Sequence, residues 1–484
     1  MSSSGSHYIS GTWRAGDNEK SIDIKDPATE ENIGTITSAT ESEVEEALDA
    51  AQSATYDWSH RPAVERGNLL REMSEVLLEN IDELSDILVE EQGKTKSIAE
   101  FEVGASAEYI RYMADWDRRI EGEILPSDDP GESIHLERKP YGVVAAIVPW
   151  NFPIFVLFRK LAPALVTGNT VVAKPSPKTP LATLRMWELV EEEVDFPDNV
   201  VNFINGDGEV GKQIVNSGKA DLISMTGHRD TGKAIARAAA NNLTETALEL
   251  GGKAPAIVWK DADIDKAVDR VVKASTAYAG QLCTSVERVY VHSDIKEEFE
   301  EKYAEATAQL TVDDPANDPD MGPQVSESEL EKTEAAINDA REEGAQILTG
   351  GRRPEQFSEG YWYEPTVVTD IGQDSTLMTD EVFGPVTPIM PVSDFDEVME
   401  YANDTEYGLA AYIYTSDYST AMQAAHDIDF GEVYINRTLG EALQGFHAGW
   451  NESGNGGEDG KHGVLKYTRV KTIYHNYGDG EPGW

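Results

Sequence analysis

The sequence has a single cysteine in 484 residues, Cys283. One cysteine cannot form a disulfide within the chain, and it cannot build a metal site that needs several thiolates. A chain without a disulfide framework suits a reducing compartment. We therefore expect a cytoplasmic protein without a metal centre.

Long apolar runs are also missing. No stretch reaches the roughly 20 apolar residues that a membrane-spanning helix needs, so we expect no membrane partner. Residues 1–7, which read MSSSGSH, have no basic region followed by an apolar core. We expect no secretory signal at this end.

Basic residues are scarce: Lys and Arg total 40 against 89 for Asp and Glu, and the formal net charge is −49. A nucleic-acid partner needs a basic surface, which disfavours that class of function. The acids are spread over the whole length, which argues against an acidic tail that recruits a basic partner. We interpret them as the coat of a halophilic protein, because concentrated salt screens such a charge density.

The chain has enough length, and 40% hydrophobic residues, for two or more domains. Apolar spacing predicts amphipathic helices over 41–54 and 62–92, continuing in the same style over 95–121. Residues 134–139 alternate like a strand. Residues 141–149 form a near-continuous apolar run, typical of a strand buried in a parallel sheet.

The same strand pattern recurs along the chain, with helical stretches between the strands. Further strands are predicted at 170–173, 200–204, 222–225, 256–258, 288–291, 366–368, 387–390, 411–414 and 432–435. This alternation predicts two doubly wound α/β units with a ligand cleft at the carboxyl ends of their strands. Residues 467–477 alternate like an edge strand, which we expect to pair with 134–139 or with another subunit.

Cys283 lies in a segment of small residues that would let another molecule approach its sulfur. A lone cysteine is ordinarily a small buried hydrophobe. Upstream, however, Glu249 precedes Gly251 and Gly252, and this step allows close backbone passage beside a carboxylate. A thiolate near a carboxylate base is a working nucleophilic site, which is the interpretation we favour.

Several segments after predicted strands could bind a cofactor. Gly206, Gly208 and Gly211 match a dinucleotide-binding spelling, but a plain strand-to-helix turn explains them at least as well. Lys174 and Ser176 could reach a ribose or phosphate.

Two more segments are specific enough to suggest a chemical role. Residues 225–232, with Gly227 and Gly232, open a helix whose free amides could hold a pyrophosphate. Asn151, between prolines and aromatic residues in Pro-Trp-Asn-Phe-Pro, suits a rigid hydrogen-bond donor for an oxyanion.

Taken together, these motifs resemble the aldehyde dehydrogenase superfamily, almost end to end. The matching motifs are PWNFP at 149–153, KPS at 174–176, LELGGK at 248–253, GQLC at 280–283 and EVFGP at 381–385. The resemblance implies two doubly wound α/β domains plus a small β oligomerisation element. The expected bounds are 1–121 and 142–250 for the cofactor-binding domain, 122–141 for an oligomerisation hairpin, 251–466 for the catalytic domain and 467–484 for an oligomerisation strand.

The resemblance also implies catalytic roles. Cys283 would attack the aldehyde carbon, and Asn151 with the Cys283 amide would stabilise the oxyanion. Glu249 would activate the water that hydrolyses the thioester. Lys160 and Glu458 match positions proposed to relay protons. A lysine reaching to solvent is a serious alternative for Lys160, and an ordinary surface acid is the expected state of Glu458.

For the cofactor, the resemblance implies NAD, with NADP possible, and a homo-oligomer, expected to be a tetramer. The implied contacts are Trp150, Lys174, Ser176, Gly227, Gly232, Glu381 and Phe383. Two departures put the choice of cofactor in question. Pro177 stands where many NAD-dependent relatives have a ribose-binding Glu, and His228 stands where Ser is common.

The run 441–463 resembles lactaldehyde and glycolaldehyde dehydrogenases within the superfamily. That resemblance implies that Arg159, Glu441 and His447 face a small 2-hydroxyaldehyde substrate. A semialdehyde acid, such as succinate or 2-oxoglutarate semialdehyde, is the enzymatic alternative. A non-catalytic relative that serves as a binding protein is the alternative of another class, although the joint presence of Cys283, Glu249 and Asn151 argues against it.

Overall fold

The computed structural model describes residues 6–478 as an α/β protein with two seven-stranded sheets, a three-stranded sheet and a two-stranded sheet. The strands are β1 His7–Ile9, β2 Thr12–Arg14, β3 Ser21–Lys25, β4 Asn32–Thr37, β5 Glu123–Pro126, β6 Glu132–Pro140, β7 Val143–Ile147, β8 Thr170–Lys174, β9 Val201–Phe203, β10 Leu222–Thr226, β11 Glu245–Glu249, β12 Ala254–Val258, β13 Val286–His292, β14 Gln346–Thr349, β15 Thr366–Thr369, β16 Val386–Val392, β17 Ala410–Tyr414, β18 Glu432–Ile435 and β19 Thr468–Asn476.

Helices separate most of the parallel strands. They are α1 Glu41–His60, α2 Ala63–Glu79, α3 Ile81–Gln92, α4 Lys96–Ala114, α5 Pro153–Thr167, α6 Leu181–Glu193, α7 Gly208–Asn216, α8 Arg229–Ala239, α9 Ile264–Thr276, α10 Lys296–Ala308, α11 Glu327–Glu343, α12 Thr376–Thr379, α13 Phe395–Asn403, α14 Tyr418–Asp427 and α15 Gly460–Lys466. In the part of the chain that the structure describes, no helix is long and apolar enough to cross a membrane.

The first sheet has the strand order β11-β10-β7-β8-β9-β1-β2. Its strands β7 to β11 are parallel, and β1 and β2 extend it antiparallel. β7 and β8 are buried because helices cover both faces, which explains their continuous apolar sequences.

The second sheet has the order β14-β15-β16-β13-β12-β17-β18, parallel except for β14. The predicted α/β class with two doubly wound sheets is therefore confirmed. Residues before 250 supply the first sheet and residues after 251 the second. The domain bounds themselves stay a prediction.

The three-stranded sheet has the order β19-β6-β5. Thr468 pairs with Pro140 and Asn476 with Glu132, so the whole of β19 lies antiparallel to β6. Of the two partners expected for the last strand, the structure shows 134–139 of the same chain.

The prediction of one helix over 62–92 is wrong. The chain breaks at Asn80, whose φ of −114° and ψ of 23° are not helical, and α3 begins at the next residue. The Asn80 side chain donates to the carbonyl of Val76 at 2.8 Å, so a local side-chain bond replaces a continuing helix.

Seven strands were not predicted: β1 to β5, β11 and β14. They are three to six residues long, and most are partly exposed. They therefore lack the buried apolar run that revealed the central strands.

The parallel arrangement brings the chemical motifs to one edge of the first sheet. β7 ends just before Trp150, β8 ends at Lys174, β10 at Thr226 and β11 at Glu249. Cys283 reaches this edge from the other sheet, after α9 and a short turn over Ala277–Gly280. The two sheets thus enclose a cleft between them.

Candidate active site

A cleft of about 210 Å³ lies between the two sheets. Its walls include Trp150, Asn151, Arg159, Gly227, Glu249, Cys283, Glu381, Phe383, His447 and Glu458. The other predicted site residues, Lys160, Lys174, Ser176, Gly232 and Glu441, are not among the residues that line it. Chain segments separated by up to 300 residues therefore converge on Cys283.

Cys283 is partly buried and reachable from the cleft. The chain passes so close to Gly252 that a β-carbon there would lie 2.4 Å from the Cys283 carbonyl oxygen. A side chain at 252 would displace the cysteine loop, which explains the second glycine of the LELGG segment.

Asn151 lies on the opposite wall, just before α5. Its Nδ2 donates one hydrogen bond to the backbone carbonyl of Gln281, at 3.0 Å. A primary amide has two N–H groups, so the second can still point at an oxygen bound to Cys283. The bond to Gln281 ties the amide to the cysteine loop.

Glu249 ends β11 and is almost completely buried. Its Oε1 accepts a hydrogen bond from the Gly457 amide, whereas its Oε2 has no partner within residues 6–478. Burial, and next the negative charge of Glu458, raise the pKa of Glu249 to about 7. A carboxylate with a free oxygen and this pKa can accept a proton from water near neutral pH.

Lys160 and Glu458 form a buried ion pair beside Glu249. Lys160 donates to Glu458 at 2.5 Å and to the Thr226 hydroxyl at 2.7 Å. Lys160 is 0% exposed and Glu458 is 5% exposed. The alternatives of a lysine that reaches solvent and of an ordinary surface glutamate are therefore both wrong. Burial would raise the pKa of Glu458, but Lys160 and Arg159 outweigh it and lower that pKa.

Arg159 is buried among carboxylates. Its Nη2 lies 2.7 Å from Asp459 and 3.9 Å from Glu441, and its Nε lies 3.8 Å from Glu458. Burial alone would raise the pKa of Glu441, yet Arg159 and His447 lower it. Both groups are therefore charged, and Arg159 is already balanced by the protein itself.

His447 is held by two glutamates and contacts Cys283. Its Nδ1 lies 3.0 Å from Glu432 and 3.9 Å from Glu441, and its ring also bonds to Cys283. Burial and Arg159 act to lower the pKa of His447, but Glu432 and the Cys283 contact raise it well above the usual value. The imidazole is thus a charged donor beside the nucleophile.

On the other side of Cys283, Glu381 and Phe383 face Trp150. The Trp150 and Phe383 rings meet edge to face with centroids 5.4 Å apart. Glu381 accepts from the Gly252 amide at 2.8 Å. Burial, and next Glu287, raise the pKa of Glu381 to about 8, so its side chain can share a proton with a ligand hydroxyl.

Lys174 is buried, and its ammonium has few hydrogen-bond acceptors within reach. Its Nζ donates to the carbonyl of Pro175 at 3.3 Å, and burial lowers its pKa to about 8. A buried ammonium with so few bonds fits a ligand ribose or phosphate oxygen. Ser176 accepts from the Lys178 amide at 3.2 Å.

Neither predicted glycine amide at the start of α8 is free. Gly227 donates to the carbonyl of Glu249 and Gly232 to that of His228, both at 3.0 Å. Gly232 instead lets α8 approach Leu250, whose Cδ2 would lie 2.5 Å from an added β-carbon. Gly227 and His228 still line the cleft. The Gly206–Gly211 segment starts α7 and is not part of the cleft wall.

Among the residues that the sequence analysis missed are five whose contacts hold the site in place. Glu432 orients His447, and two buried pairs, Lys94–Glu102 and Lys253–Glu287, lie beneath the cleft. Glu287 accepts the amides of Val382 and Phe383 at 2.9 and 2.8 Å, fixing the loop that carries Glu381. Position 253 is in a quoted motif, but nothing local distinguishes the other four from surface charges.

The chain matches the Aldehyde dehydrogenase family over residues 13–473. It is 43% identical to lactaldehyde dehydrogenase of Escherichia coli over 96% of this chain and 98% of that protein. It is 41% identical to D-glyceraldehyde dehydrogenase (NADP(+)) of Picrophilus torridus over 98% of this chain and 96% of that protein. The crystal structure of lactaldehyde dehydrogenase from Escherichia coli aligns with a TM-score of 0.95, covering 97% of this chain and 98% of that one at 43% identity.

Proposed function

We propose, from the premise that this chain belongs to the aldehyde dehydrogenase family, that it oxidises a 2-hydroxyaldehyde such as lactaldehyde or glycolaldehyde to the acid. The chain is an NAD(P)-dependent aldehyde dehydrogenase, so the proposal concerns its substrate and the roles of its residues. Because the chain belongs to this enzyme family, we no longer consider the alternative of a non-catalytic relative that serves as a binding protein.

In the proposed reaction the Cys283 thiolate adds to the aldehyde carbon, and the carbonyl oxygen becomes an oxyanion. Asn151 Nδ2 and the Cys283 amide donate to that oxyanion. A nicotinamide dinucleotide, when bound, would supply the hydride acceptor. Once the substrate carbon has lost its hydride and its C=O bond has re-formed, the acyl group is left on Cys283 as a thioester. Glu249 then takes a proton from the water that attacks the thioester, and Cys283 leaves as thiolate with release of the acid. We propose that Lys160 and Glu458, paired beside Glu249, carry that proton away.

The residues present fit such a dinucleotide. Lys174 is a buried ammonium with a single weak bond, and Glu381 is a partly buried carboxyl group bonded to one amide. Each can complete its hydrogen bonds with a ribose hydroxyl. Trp150 and Phe383 supply aromatic surface between them.

The observation that carries the substrate proposal is the polar cluster of His447, Glu432 and Glu441 beside Cys283. A charged imidazole and a carboxylate offer a donor and an acceptor to a hydroxyl next to the aldehyde. A buried site built for a hydroxyl disfavours the analogue without it, because its polar groups then lack partners.

The carboxylate partners of Arg159 disfavour the semialdehyde alternative. A bidentate grip on a distant carboxylate would need a free arginine. Arg159 already faces Asp459, Glu441 and Glu458 within 4.0 Å. An acid substrate would therefore find no arginine in this group that is free to pair with its carboxylate.

A substrate panel tests the proposal. We expect kcat/KM for lactaldehyde and glycolaldehyde to exceed that for propanal and for succinate semialdehyde. Reduced cofactor is followed by absorbance in concentrated KCl. A semialdehyde acid as the best substrate would refute the 2-hydroxyaldehyde assignment and support its rival.

For the cofactor, we propose NAD with measurable use of NADP. An acid on the ribose normally holds NAD and repels the 2′-phosphate, but Pro177 supplies none. The nearby Glu329 is neutralised by Lys178 at 2.8 Å and Lys332 at 3.0 Å. Comparing kcat/KM for both cofactors decides this, and strict NAD use would mean that Glu329 or another group excludes the phosphate.

We propose a halophilic, cytoplasmic homo-oligomer, a tetramer. The net charge of −49 should destabilise the chain in dilute buffer, so we expect its thermal midpoint to rise from low to molar KCl. A midpoint that is flat or falls would contradict this.

The exposed apolar residues Ile124, Val470 and Tyr474 on the three-stranded sheet suit a contact between subunits. Light scattering can measure the oligomeric state.

A further inference from the structure

The buried pair Lys94–Glu102 lies beneath the cleft and touches none of the proposed reacting atoms. Lys94 is in the loop between α3 and α4, and Glu102 is in α4. Both side chains are 0% exposed. A buried ion pair is commonly no more stabilising than well-packed apolar residues, so its presence needs another explanation.

The Lys94 ammonium bonds to the loop that carries Asn151. Its Nζ donates to Glu102 and, at 2.9 Å, to the backbone carbonyl of Asn151. It also lies 3.7 Å from the centre of the Phe152 ring. Lys94 therefore fixes the peptide of Asn151 itself and the ring of the residue that follows.

Glu102 holds the start of the helix that follows Asn151. Its Oε1 accepts the amides of Ile154 and Phe155 at 2.9 and 3.2 Å, in the first turn of α5. A carboxylate at this end is favoured by the free amides and by the helix dipole. The pair thus holds residues 151 to 155 from both directions.

The same ammonium touches the cysteine loop. Lys94 Nζ lies 4.8 Å from the centre of the Tyr278 ring, and the Tyr278 hydroxyl donates to the Gln92 carbonyl at 3.3 Å. Tyr278 and Ala279 have φ values of 49° and 53°, a strained conformation for residues with side chains. Strain of this kind persists where surrounding contacts determine the backbone, and Lys94 is one of those contacts.

Lys94 is therefore placed between the two loops that would form the oxyanion site. One loop supplies Asn151 Nδ2, and the other supplies the Gln281 carbonyl that receives it and the Cys283 amide. We propose that Lys94, paired with Glu102, is a positioning residue that sets Asn151 against Cys283 for oxyanion stabilisation. This inference rests on the oxyanion role proposed above for Asn151.

A double-mutant cycle between Lys94 and Asn151 tests it. The variants are Lys94→Met, Asn151→Ala and both together, with propanal as substrate so that the outcome does not depend on a substrate hydroxyl. Because a small misplacement of a catalytic group can cost on the order of 100-fold, we expect Lys94→Met to lower kcat/KM roughly 30-fold in the parent enzyme. In the Asn151→Ala background the same change should cost less than about 3-fold.

Lys253→Met is the matched control, because Lys253–Glu287 is an equally buried pair on the cofactor side. It should raise the KM for NAD and cost the same factor with and without Asn151. Lys94→Met should leave the KM for NAD unchanged. If Lys94→Met alone does not fold, Lys94→Met/Glu102→Gln removes both charges and takes its place in the cycle.

The outcomes separate the two proposals. Coupling between Lys94 and Asn151, absent for Lys253, supports the positioning role. Equal losses in both backgrounds would overturn that role and leave the oxyanion proposal intact. An unchanged rate in Asn151→Ala would overturn the oxyanion role, and this inference with it.

Discussion

The two sides of Cys283 are built from different electrostatics. On the cofactor side, two ionisable groups have no ion-pair partner among the described residues: Lys174 bonds to one carbonyl and Glu381 to one amide. On the substrate side the ionisable groups form a network. Its members are Arg159, Lys160, Glu432, Glu441, His447, Glu458 and Asp459.

The difference shows in their protonation. Burial moves the two groups of the cofactor side toward their neutral forms, lowering the pKa of Lys174 to about 8 and raising that of Glu381 to about 8. In the network, opposite charges outweigh burial at Glu441, Glu458 and His447 and keep them charged, whereas burial raises the pKa of Asp459 to about 6. A ligand can thus complete the hydrogen bonds of Lys174 and Glu381, whereas most charges on the substrate side are balanced within the protein before a ligand binds.

The largest expected effect comes from removing the thiol of Cys283, which lies between the two sides. Cys283→Ala should reduce aldehyde oxidation by more than about 10⁴-fold, because only the thiolate forms the covalent intermediate. Cofactor affinity, measured by quenching of tryptophan fluorescence, should stay near the parent value since the cofactor side is untouched. Turnover close to that of the parent enzyme would show that Cys283 is not the nucleophile.

The next effect concerns the proton acceptor. Glu249→Gln should slow deacylation about 100-fold and expose a burst of reduced cofactor. A general base works when deprotonated. With a pKa of about 7, Glu249 should therefore let the parent deacylation rate rise with pH through 7 and fall below it. Single-turnover profiles from pH 5.5 to 8.5 check this, and the Gln variant should lack that step. If the deacylation rate of the Gln variant still rose through pH 7, the titrating group would not be Glu249.

A smaller and more selective effect is expected on the substrate side. His447→Ala should lower the ratio of kcat/KM for lactaldehyde to that for propanal by about 10-fold, because one donor to the hydroxyl is lost. The rate with propanal should change much less. His228→Ala, a histidine on the cofactor side of the same cleft, is the control and should leave the ratio unchanged. Equal losses for both aldehydes in His447→Ala would assign the histidine to the chemistry rather than to selection.

The smallest expected effect concerns Glu432, the carboxylate that bonds to His447 in the network. Glu432→Gln should remove the main charge that raises the pKa of His447. The protonated form exists below that pKa, so the variant's preference for lactaldehyde over propanal should fall, about 3-fold, as pH rises from 6 to 9. The parent preference should be flat over this range. A variant as flat as the parent would show that Glu441 alone keeps His447 charged.

Much of the fold could be predicted because buried parallel strands are continuous apolar runs, as at β7 and β8. The break at Asn80 escaped prediction, since the apolar spacing runs on through it and only a side-chain bond to Val76 marks it. The short edge strands escaped for the opposite reason: they bury too little to leave a pattern.

The sequence by itself determined the sheet class, the candidate nucleophile and the motifs around it, because these depend on neighbours along the chain. Only the tertiary structure decided that Arg159 is balanced by carboxylates, that Glu458 is buried, and that Lys94 joins two loops. Arg159 meets Asp459 across 300 residues, and Lys160 meets Glu458 across 298. A charged side chain has no local pattern that specifies a partner so distant, and its burial follows only when the sheets bring the segments together.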